Sequence, residues 1–240
     1  MRIEQNNEFL LEILSKIKNK KLAKAPFNRH YAWDEKDVVM LFESIQKGYP
    51  IGNIITWTPD SSKEYDKRLG PIILDGEPES YIIDGHNRLA TLAYSIASPD
   101  EVNNAINSMT ENEENVWGQD RSLVYNGLTK KIYFLNNEEL DNTRNVIPVG
   151  LVATQGFNVF IRKNYHLLDS DTVLENMEDL GHKIRETKLV NMHLYRATDE
   201  QAIDAFTHMA KTGQPMSLES IKRAKKWFLD ETIKSNTLDM

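Results

Sequence analysis

The sequence contains no cysteine, and this absence excludes several kinds of chemistry at once. A chain without thiols can form no disulfide, no thiolate metal site and no cysteine nucleophile. Six histidines are present, but no two of them have the i, i+4 helical spacing of a ligand pair, and none has a cysteine partner. We therefore expect no zinc site.

Long hydrophobic runs are also lacking, because no apolar stretch approaches the ~20 residues that a membrane-spanning helix needs. The first residues, Met1-Arg-Ile-Glu-Gln-Asn, do not show the basic and then apolar pattern of a secretion signal. We therefore expect a cytoplasmic protein without a membrane partner. A Walker loop, a Gly-x-Gly-x-x-Gly pattern and a Ser-His-Asp arrangement are missing too, which leaves P-loop, Rossmann and serine hydrolase functions without support.

Positive charge is in deficit, since 29 Lys and Arg residues against 36 Asp and Glu residues give a net charge of −7. Such a chain repels a phosphate backbone unless its basic residues are clustered. One basic cluster lies near the C-terminus at Lys222, Arg223, Lys225 and Lys226. On a helix this spacing is more typical of a solvated face than of a phosphate-binding surface. DNA is thus expected as a partner mainly through another chain or a nuclease.

Hydrophobic periodicity gives the outline of the secondary structure. It predicts a helix over 8–19, a second helix that begins after the N-cap Asp34, and a strand over 51–57. An Asn-Gly pair between two β-prone runs predicts a hairpin over 123–135. A periodicity of 3.6 over 170–190, and again after it, indicates helices in the last third of the chain.

The length of 240 residues allows one core with a helical appendage. We predict an α+β fold in which residues 1–97 form the core and its N-terminal helix. Residues 98–150 would form a polar linker and a β-hairpin insertion, and residues 151–240 a mainly helical C-terminal part. Within the core, the strands at 51–57 and 81–83 are expected to share one small mixed sheet.

The segment with the clearest chemical meaning is Tyr81-Ile-Ile-Asp-Gly-His-Asn-Arg88, which reads as a buried strand, a turn and the start of a helix. Gly85 allows a positive φ and removes the side chain that would keep a ligand from the backbone. The amides of His86, Asn87 and Arg88 would then face an anion at the positive end of the helix dipole. This geometry predicts a site for a nucleotide phosphate.

Three side chains of this turn are candidates for catalysis. Arg88 can bind a phosphate in two places at once. Asp84 can hold Mg²⁺, orient Arg88 or cap the helix, and His86 can donate to a phosphate oxygen or act as an acid or base. The structural alternative is that Asp84 only caps the helix and pairs with Arg88, with His86 and Asn87 exposed at the turn.

Two segments upstream give the turn a context. Residues Pro26-Phe-Asn-Arg-His-Tyr-Ala-Trp33 precede a helix, and Tyr49-Pro-Ile-Gly-Asn-Ile-Ile follows it. This order resembles the first box of the ParB/sulfiredoxin superfamily, and residues 81–96 resemble its second box, in which Asp-Gly-x-x-Arg joins a hydrophobic strand to a helix. The resemblance implies a ParB/sulfiredoxin-like small mixed sheet with flanking helices and a nucleotide phosphate on the second box.

Within that superfamily, the chain most resembles the N-terminal domain of GmrSD-type modification-dependent restriction proteins, a family long catalogued as a domain of unknown function. The likeness rests on the Arg-x-Tyr-x-Trp element, on Gly48-Tyr-Pro-Ile-Gly52, on the Asp-Gly-x-x-Arg turn and on Gly213-Gln-Pro-Met-Ser217. The nucleotide-binding residues that we infer in this chain are Arg29, Tyr31, Trp33, Gly52, Gly85, Asn87 and Arg88. The aromatic side chains at 27–33 are equally typical of core anchors, and Arg29 beside them slightly favours stacking on a base.

The chain departs from this family at three points. The two glutamines that usually occupy the turn are replaced by His86 and Asn87, and Ala210 stands where the late element usually has Asn. The C-terminal nuclease of the His-Asn-His type is not found in these 240 residues, so we expect DNA cleavage to need another domain or chain. The reaction of sulfiredoxin is excluded because no thiol is present.

The resemblance implies binding of a nucleoside triphosphate, with hydrolysis in some members, coupled to the sensing of modified DNA. Three functions remain open from the sequence. The first is a nucleotide phosphohydrolase of a restriction system, with Asp84, His86 and Arg88 as catalytic residues and Mg²⁺ on Asp84. The second is a phosphotransferase that acts on a hydroxyl of DNA or of a small molecule. The third is a regulator that binds DNA or protein and keeps the pocket without turnover.

Overall fold

The structure, a computed structural model, describes residues 2–59, 67–74, 76–96, 111–118 and 120–212, together with Lys222 and Lys226. The Gly213-Gln-Pro-Met-Ser217 element, most of the helix predicted after it and most of the polar linker therefore lie outside the described residues. So do Arg223 and Lys225 of the basic cluster.

Helices and strands follow one another along the whole described chain. Their order is β1 (Arg2–Phe9), α1 (Leu10–Lys18), β2 (Leu22–Lys24), α2 (Glu35–Gln46), β3 (Ile54–Thr58), β4 (Arg68–Leu69), β5 (Ile72–Ile73), β6 (Ser80–Asp84), α3 (His86–Ile96), α4 (Glu111–Trp117), β7 (Arg121–Asn126), β8 (Lys131–Asn136), α5 (Asn137–Leu140), β9 (Val146–Pro148), α6 (Val149–Val152), α7 (Gly156–Asn164), α8 (Asp171–Glu186), β10 (Lys188–Tyr195) and α9 (Asp199–Thr212). The fold is mixed α and β, as predicted.

A five-stranded mixed sheet forms the centre of the molecule, with the strand order β1-β10-β3-β6-β2. β10 runs parallel to β3, and β2 runs parallel to β6, whereas β1 with β10 and β3 with β6 are antiparallel. The predicted strands at 51–57 and 81–83 are therefore neighbours in one sheet. The remaining strands form the hairpin of β4 with β5 and a sheet in the order β8-β7-β9.

Two strands of the central sheet were not predicted. β10 lies in the part that was expected to be mainly helical, because Asn191 and His193 interrupt the apolar pattern that would have marked a central strand. β1 is a polar and largely exposed strand whose pairing with β10 runs from Arg2 opposite Tyr195 to Phe9 opposite Lys188. Tertiary pairing, rather than local preference, forms both strands.

Local signals predicted other elements correctly. α2 begins after Asp34, whose carboxylate accepts a hydrogen bond from the Asp37 amide at 3.0 Å. In return, the Asp34 amide donates to the Asp37 carboxylate at 3.2 Å, which completes a capping box. The hairpin of β7 and β8 turns at Asn126, whose side-chain oxygen accepts from the amides of Leu128 and Thr129. The predicted helix over 8–19 is α1, although it begins at Leu10 because the residues before it belong to β1.

The C-terminal part packs on the sheet through aromatic side chains. Phe27 contacts Phe206 of α9 with ring centres 5.1 Å apart, and Trp57 of β3 contacts Tyr81 of β6 at 5.7 Å. The Trp57 indole also donates to the Ala197 carbonyl at 2.9 Å. Residues far apart in the sequence therefore share one buried core. Among the helices that the structure describes, none is both long and apolar enough to cross a membrane.

Candidate functional site

The site begins where β6 passes into α3. β6 ends at Asp84, α3 begins at His86, and Gly85 between them has a φ of +90°. A Cβ atom at Gly85 would lie 2.9 Å from Cγ2 of Ile54 on the neighbouring strand, so both the backbone angle and the space require glycine. The predicted strand, turn and helix are present, and the helix starts two residues before Arg88.

Arg88 connects this turn to the loop that precedes β3. Its guanidinium donates a hydrogen bond from Nη1 to the Asn53 carbonyl at 2.8 Å. A Cβ atom at Gly52 would lie 2.8 Å from Nη2, and Gly52 has a φ of +87°. The guanidinium therefore packs directly against the glycine backbone. It brings together the Gly52 loop and the Asp84 turn, which are 32 residues apart in the sequence (84 − 52).

The charge of Arg88 is set by two opposing effects. Burial lowers the pKa of Arg88, and the nearby Asp84 carboxylate opposes that effect. An arginine remains protonated at neutral pH in either case. Asp84 is exposed at the end of β6, and its carboxylate makes no hydrogen bond or salt bridge within the part of the chain that the structure describes. It can therefore accept a cation or a ligand without breaking an existing contact.

The His86 side chain is buried, with only 9% of its surface exposed, in contrast to an exposed turn residue. Burial, followed by the charges of Lys24 and Arg29, lowers the pKa of His86 to about 3, while a hydrogen bond with the His30 backbone acts in the other direction. The imidazole is therefore neutral at pH 7. Its Nε2 is buried and has no hydrogen-bond partner among the described residues.

Asn87 and the 26–33 segment hold each other in place. The side-chain oxygen of Asn87, which is buried, accepts from the Ala32 amide at 3.2 Å. The Tyr31 hydroxyl lies 2.8 Å from the Thr91 hydroxyl of α3, and burial raises the pKa of Tyr31. The segment thus runs beside α3, as a site built from both motifs requires.

The aromatic side chains of that segment differ in their access to a ligand. Phe27 and Tyr31 are core residues, with Tyr31 only 4% exposed, whereas Trp33 is half-buried and packs against the edge of the core. Phe27 and Tyr31 therefore act as core anchors in this structure. Contact of Tyr31 and Trp33 with a bound nucleotide stays a prediction.

One charged residue near the site was missed by the sequence reasoning. Lys24 on β2 is only 3% exposed, and its Nζ lies 3.5 Å from the carbonyl oxygen of Arg29. The positive charges of Lys24 and Arg29 both contribute to the lowered pKa of His86. The available signal was a lysine inside the apolar run Leu22-Ala-Lys-Ala25, where a charge is unusual.

A metal centre made of protein ligands alone is not found in the described part of the chain, since no three His, Asp or Glu side chains converge there. Asp84 is a single carboxylate, so a divalent cation at this position would need further oxygens from a ligand or from water. That requirement is typical of Mg²⁺, which is commonly bound by one or two carboxylates together with substrate phosphates.

The relationship of the chain to known proteins agrees with the motifs gathered at this turn. No curated protein matches it. A family sequence model described as the N-terminal domain of the GmrSD restriction endonuclease matches residues 10–225, which is most of the 240 residues. The match includes the Arg29 segment, both glycine turns and the strand β10 that completes the central sheet. The chain belongs to the family of GmrSD restriction endonuclease N-terminal domains.

Proposed function

We propose that the chain binds a nucleoside triphosphate at the turn between β6 and α3 and hydrolyses it in the service of restriction of modified DNA. The restriction endonuclease named in the family's description supports the second part. The observation that carries the first part is the position of Arg88 between two glycines of positive φ, Gly52 and Gly85. The order of strand, glycine turn and helix also supports a likeness to the ParB/sulfiredoxin fold.

The local charges support phosphate binding at this turn. α3 is eleven residues long, so its first amides carry the positive end of a full helix dipole. Arg88 lies beside those amides, and its guanidinium has five N–H donors, of which the bond to Asn53 uses one. The remaining donors can bind two oxygens of one phosphate group. Arg29 and Lys24 add positive charge on the side of His86.

The neutral state of His86 suits it to accept a proton once phosphate is bound. Burial of His86, with the charges of Lys24 and Arg29 acting in the same direction, lowers its pKa to about 3, where imidazole is a weak base. A bound triphosphate brings several negative charges that oppose the effect of the two cations and raise the pKa of His86, because an adjacent opposite charge favours the protonated imidazole. His86 can then take the proton of an attacking water and act as a general base for hydrolysis.

Mg²⁺ would bind between Asp84 and the phosphates. The exposed carboxylate supplies one oxygen, and the phosphates and water supply the rest. The chemistry that the cation would contribute is neutralisation of charge on the transferred phosphoryl group. Its position next to Arg88 would fix the triphosphate from two sides.

Two other functions use the same residues. In a phosphotransferase, His86 would take the proton of a hydroxyl group on DNA or on a small molecule rather than that of water. In a regulator without turnover, His86 would only shape the pocket. The low pKa of His86 in the protein without ligand favours this role, because such an imidazole is a weak base. Phosphate release, a labelled acceptor, or an intact bound triphosphate distinguishes the three.

A thermal-shift screen tests binding directly, because a ligand of the native state raises its melting temperature by mass action. The four ribonucleoside triphosphates are screened with and without Mg²⁺, and affinities are then measured by calorimetry. Arg88→Ala should weaken binding about ten- to a hundredfold, since a charge-assisted contact contributes about 1.5–3 kcal/mol. The matched control is Arg162→Ala on the exposed face of α7. Binding that is absent in the parent, or equal in both variants, would refute the proposal.

A further inference from the structure

A second group of polar side chains lies on one face of the central sheet and extends across β1, β10 and β3. These side chains line a cavity of about 470 Å³, a size typical of small-molecule sites. They come from three adjacent strands, with Glu8 on β1, Asn191 and His193 on β10, and Thr56 and Thr58 on β3. Polar groups in such a position are expensive to bury unless they are satisfied.

Hydrogen bonds connect these five side chains in a series that runs from Thr58 to Glu8, and each side chain donates to the next one in the series. The Glu8 carboxylate accepts from the Asn191 amide at 2.8 Å, which turns the amide oxygen of Asn191 towards Thr56. The Thr56 hydroxyl donates its only proton to that oxygen at 2.8 Å. His193 Nδ1, at 2.7 Å from the Thr56 oxygen, must therefore carry a proton and donate. Its Nε2 is left as the acceptor for the Thr58 hydroxyl at 3.1 Å.

The charge states agree with this chain of donors. Burial acts to raise the pKa of Glu8, but hydrogen bonds from Lys16 and Asn191 outweigh it and leave the pKa below its usual value. Burial lowers the pKa of His193, with the Glu4 and Glu8 carboxylates opposing and Lys16 assisting. At neutral pH the carboxylate is ionised and the imidazole is neutral. The network therefore has one arrangement of protons, and it ends at Thr58 with oxygen lone pairs available.

Other parts of the lining remain able to bind a ligand. Ser80 of β6 and Asn6 of β1 line the cavity, and within the described residues their side chains have no hydrogen-bond partner. The formal charges at the cavity are balanced, because Lys16 pairs with Glu8 and Lys21 pairs with Glu79 at 3.0 Å. The cavity thus offers neutral donors and acceptors rather than a net charge.

An apolar wall completes the cavity. It is formed by Ile13 of α1, Leu22 of β2 and Ile54 of β3, all of them buried. A ligand that fits must therefore have an uncharged polar edge with both donors and acceptors and an apolar face. We propose that this cavity binds a nucleobase, either of a free nucleoside or of an unpaired nucleotide in DNA. The inference does not depend on triphosphate binding at Arg88.

The two sources of the base differ in what they need outside the cavity. Lysines are concentrated at the end of α1 and just after it, at Lys16, Lys18, Lys20 and Lys21. In a chain of net charge −7, this stretch of lysines without an acidic residue is where a DNA backbone can approach, and its phosphates would compete with Glu8 and Glu79 for Lys16 and Lys21. A base in DNA would bring its phosphates to these lysines, so its affinity should fall steeply with salt. The affinity of a free nucleoside should hardly change.

Calorimetric titration tests the inference with the four deoxynucleosides, a mixed-sequence single-stranded oligonucleotide and the corresponding duplex. At least one deoxynucleoside should bind to the parent protein. Thr58→Val keeps the shape of the side chain and removes its hydroxyl, and it should weaken this binding about three- to tenfold, as expected for one neutral hydrogen bond. Ser80→Ala should have a similar effect, and it does not disturb the His193 network. Thr129→Val in the exposed turn of the β7–β8 hairpin is the matched control.

Each result decides the question. Tighter and salt-dependent binding of the single strand than of the nucleosides identifies an unpaired DNA base, and equal binding identifies the free nucleoside. If neither nucleosides nor single strands bind, or if Thr58→Val and Ser80→Ala bind as the parent does, the cavity is not a base site. Nucleoside binding that is lost in Arg88→Ala instead would locate the base at the other site and refute the inference, whether or not triphosphate binding is found.

Discussion

The two polar regions of the central sheet differ in how they are built. The β6–α3 turn is local, because Asp84, Gly85, His86 and Arg88 lie within five residues of sequence. The cavity on the sheet face joins side chains that are as far apart as Glu8 and Asn191. A site of the first kind can be recognised in a sequence, whereas a site of the second kind exists only once the strands have paired.

The turn also differs from the cavity in its hydrogen bonding. In the cavity, every proton between Glu8 and Thr58 is assigned by its neighbours. At the turn, the buried Nε2 of His86 has no partner in the described residues. Buried polar atoms are rarely left in that state, and an exception often marks a place for a ligand or a reacting group. The turn is therefore the better candidate for chemistry and the cavity for recognition.

The largest expected effect concerns His86, whose Nε2 is the atom without a partner in the described part of the chain. His86→Ala should reduce nucleotide turnover about 10²–10⁴-fold with little change in affinity, because a general base acts in the reaction step and hardly in binding. Phosphate release under saturating nucleotide and calorimetric affinity are the two measurements. His182→Ala on α8 is a control that removes a histidine elsewhere. Weaker binding with unchanged turnover at saturation would show that His86 is a phosphate ligand and not a base.

A second effect separates backbone strain from crowding at the turn. Gly85→Val places a side chain at a φ of +90° and within 2.9 Å of Ile54, so both binding and stability should fall. Gly48→Val imposes similar strain at a φ of +71°, but its Cβ atom would meet no atom within 4 Å. Strain alone costs about 1–3 kcal/mol. Gly48→Val should therefore lower the melting temperature and keep nucleotide affinity.

The measurement is a denaturant titration together with nucleotide affinity at a temperature where both variants are folded. Loss of affinity in Gly85→Val alone is expected. Equal affinity of both variants and the parent would mean that the backbone at Gly85 does not face a ligand.

These contrasts also explain how much the sequence could predict. The turn, the N-cap at Asp34 and the hairpin at Asn126 were predicted because each depends on residues a few positions apart. β10 was missed because Asn191 and His193, which give the cavity its network, also remove the apolar alternation of a central strand. β1 was missed because its residues are polar and form a strand only by pairing with β10.

The site residues show the same division. The sequence predicted a turn at Gly85 and a helix from Arg88, and the structure has Gly85 in the turn and Arg88 as the third residue of the helix. Burial was not predictable: His86 and Asn87 face inward, and Lys24 becomes a buried neighbour, only because the 26–33 segment packs along α3. The pKa of His86 is a property of that packing rather than of the motif.

A third prediction follows from the pKa of His86. Its value in the folded protein is about 3, and the ordinary value of 6.5 applies when the chain unfolds. Between these values the unfolded state binds one proton more, so the free energy of unfolding falls as the pH is lowered below about 6.5. This histidine contributes a slope of about 1.4 kcal/mol per pH unit. His86→Gln should remove that part of the slope and leave the part that is due to carboxylates.

Denaturant titrations of the parent and of His86→Gln between pH 4 and pH 7 measure the difference. Identical slopes would show that the imidazole is already accessible to protons in the folded state.

The smallest effect is expected at Arg29, the residue of the 26–33 segment whose charge acts on His86 at the turn. Its guanidinium makes no hydrogen bond or ion pair within the described residues, and it is partly exposed, so Arg29→Ala should hardly change the melting temperature.

The charge of Arg29 is one of those that lower the pKa of His86, and removal of that charge should raise this pKa. Nucleotide affinity should fall about three- to tenfold, less than for Arg88→Ala, because Arg29 acts on the site through its charge beside His86, whereas the guanidinium of Arg88 lies at the turn itself. NMR titration of the His86 ring and calorimetry measure the two quantities, and Arg29→Lys, which keeps the charge, should restore the pKa and most of the affinity. A large loss of stability with both quantities unchanged would assign Arg29 to the fold alone, and the nucleotide site would then be confined to the turn.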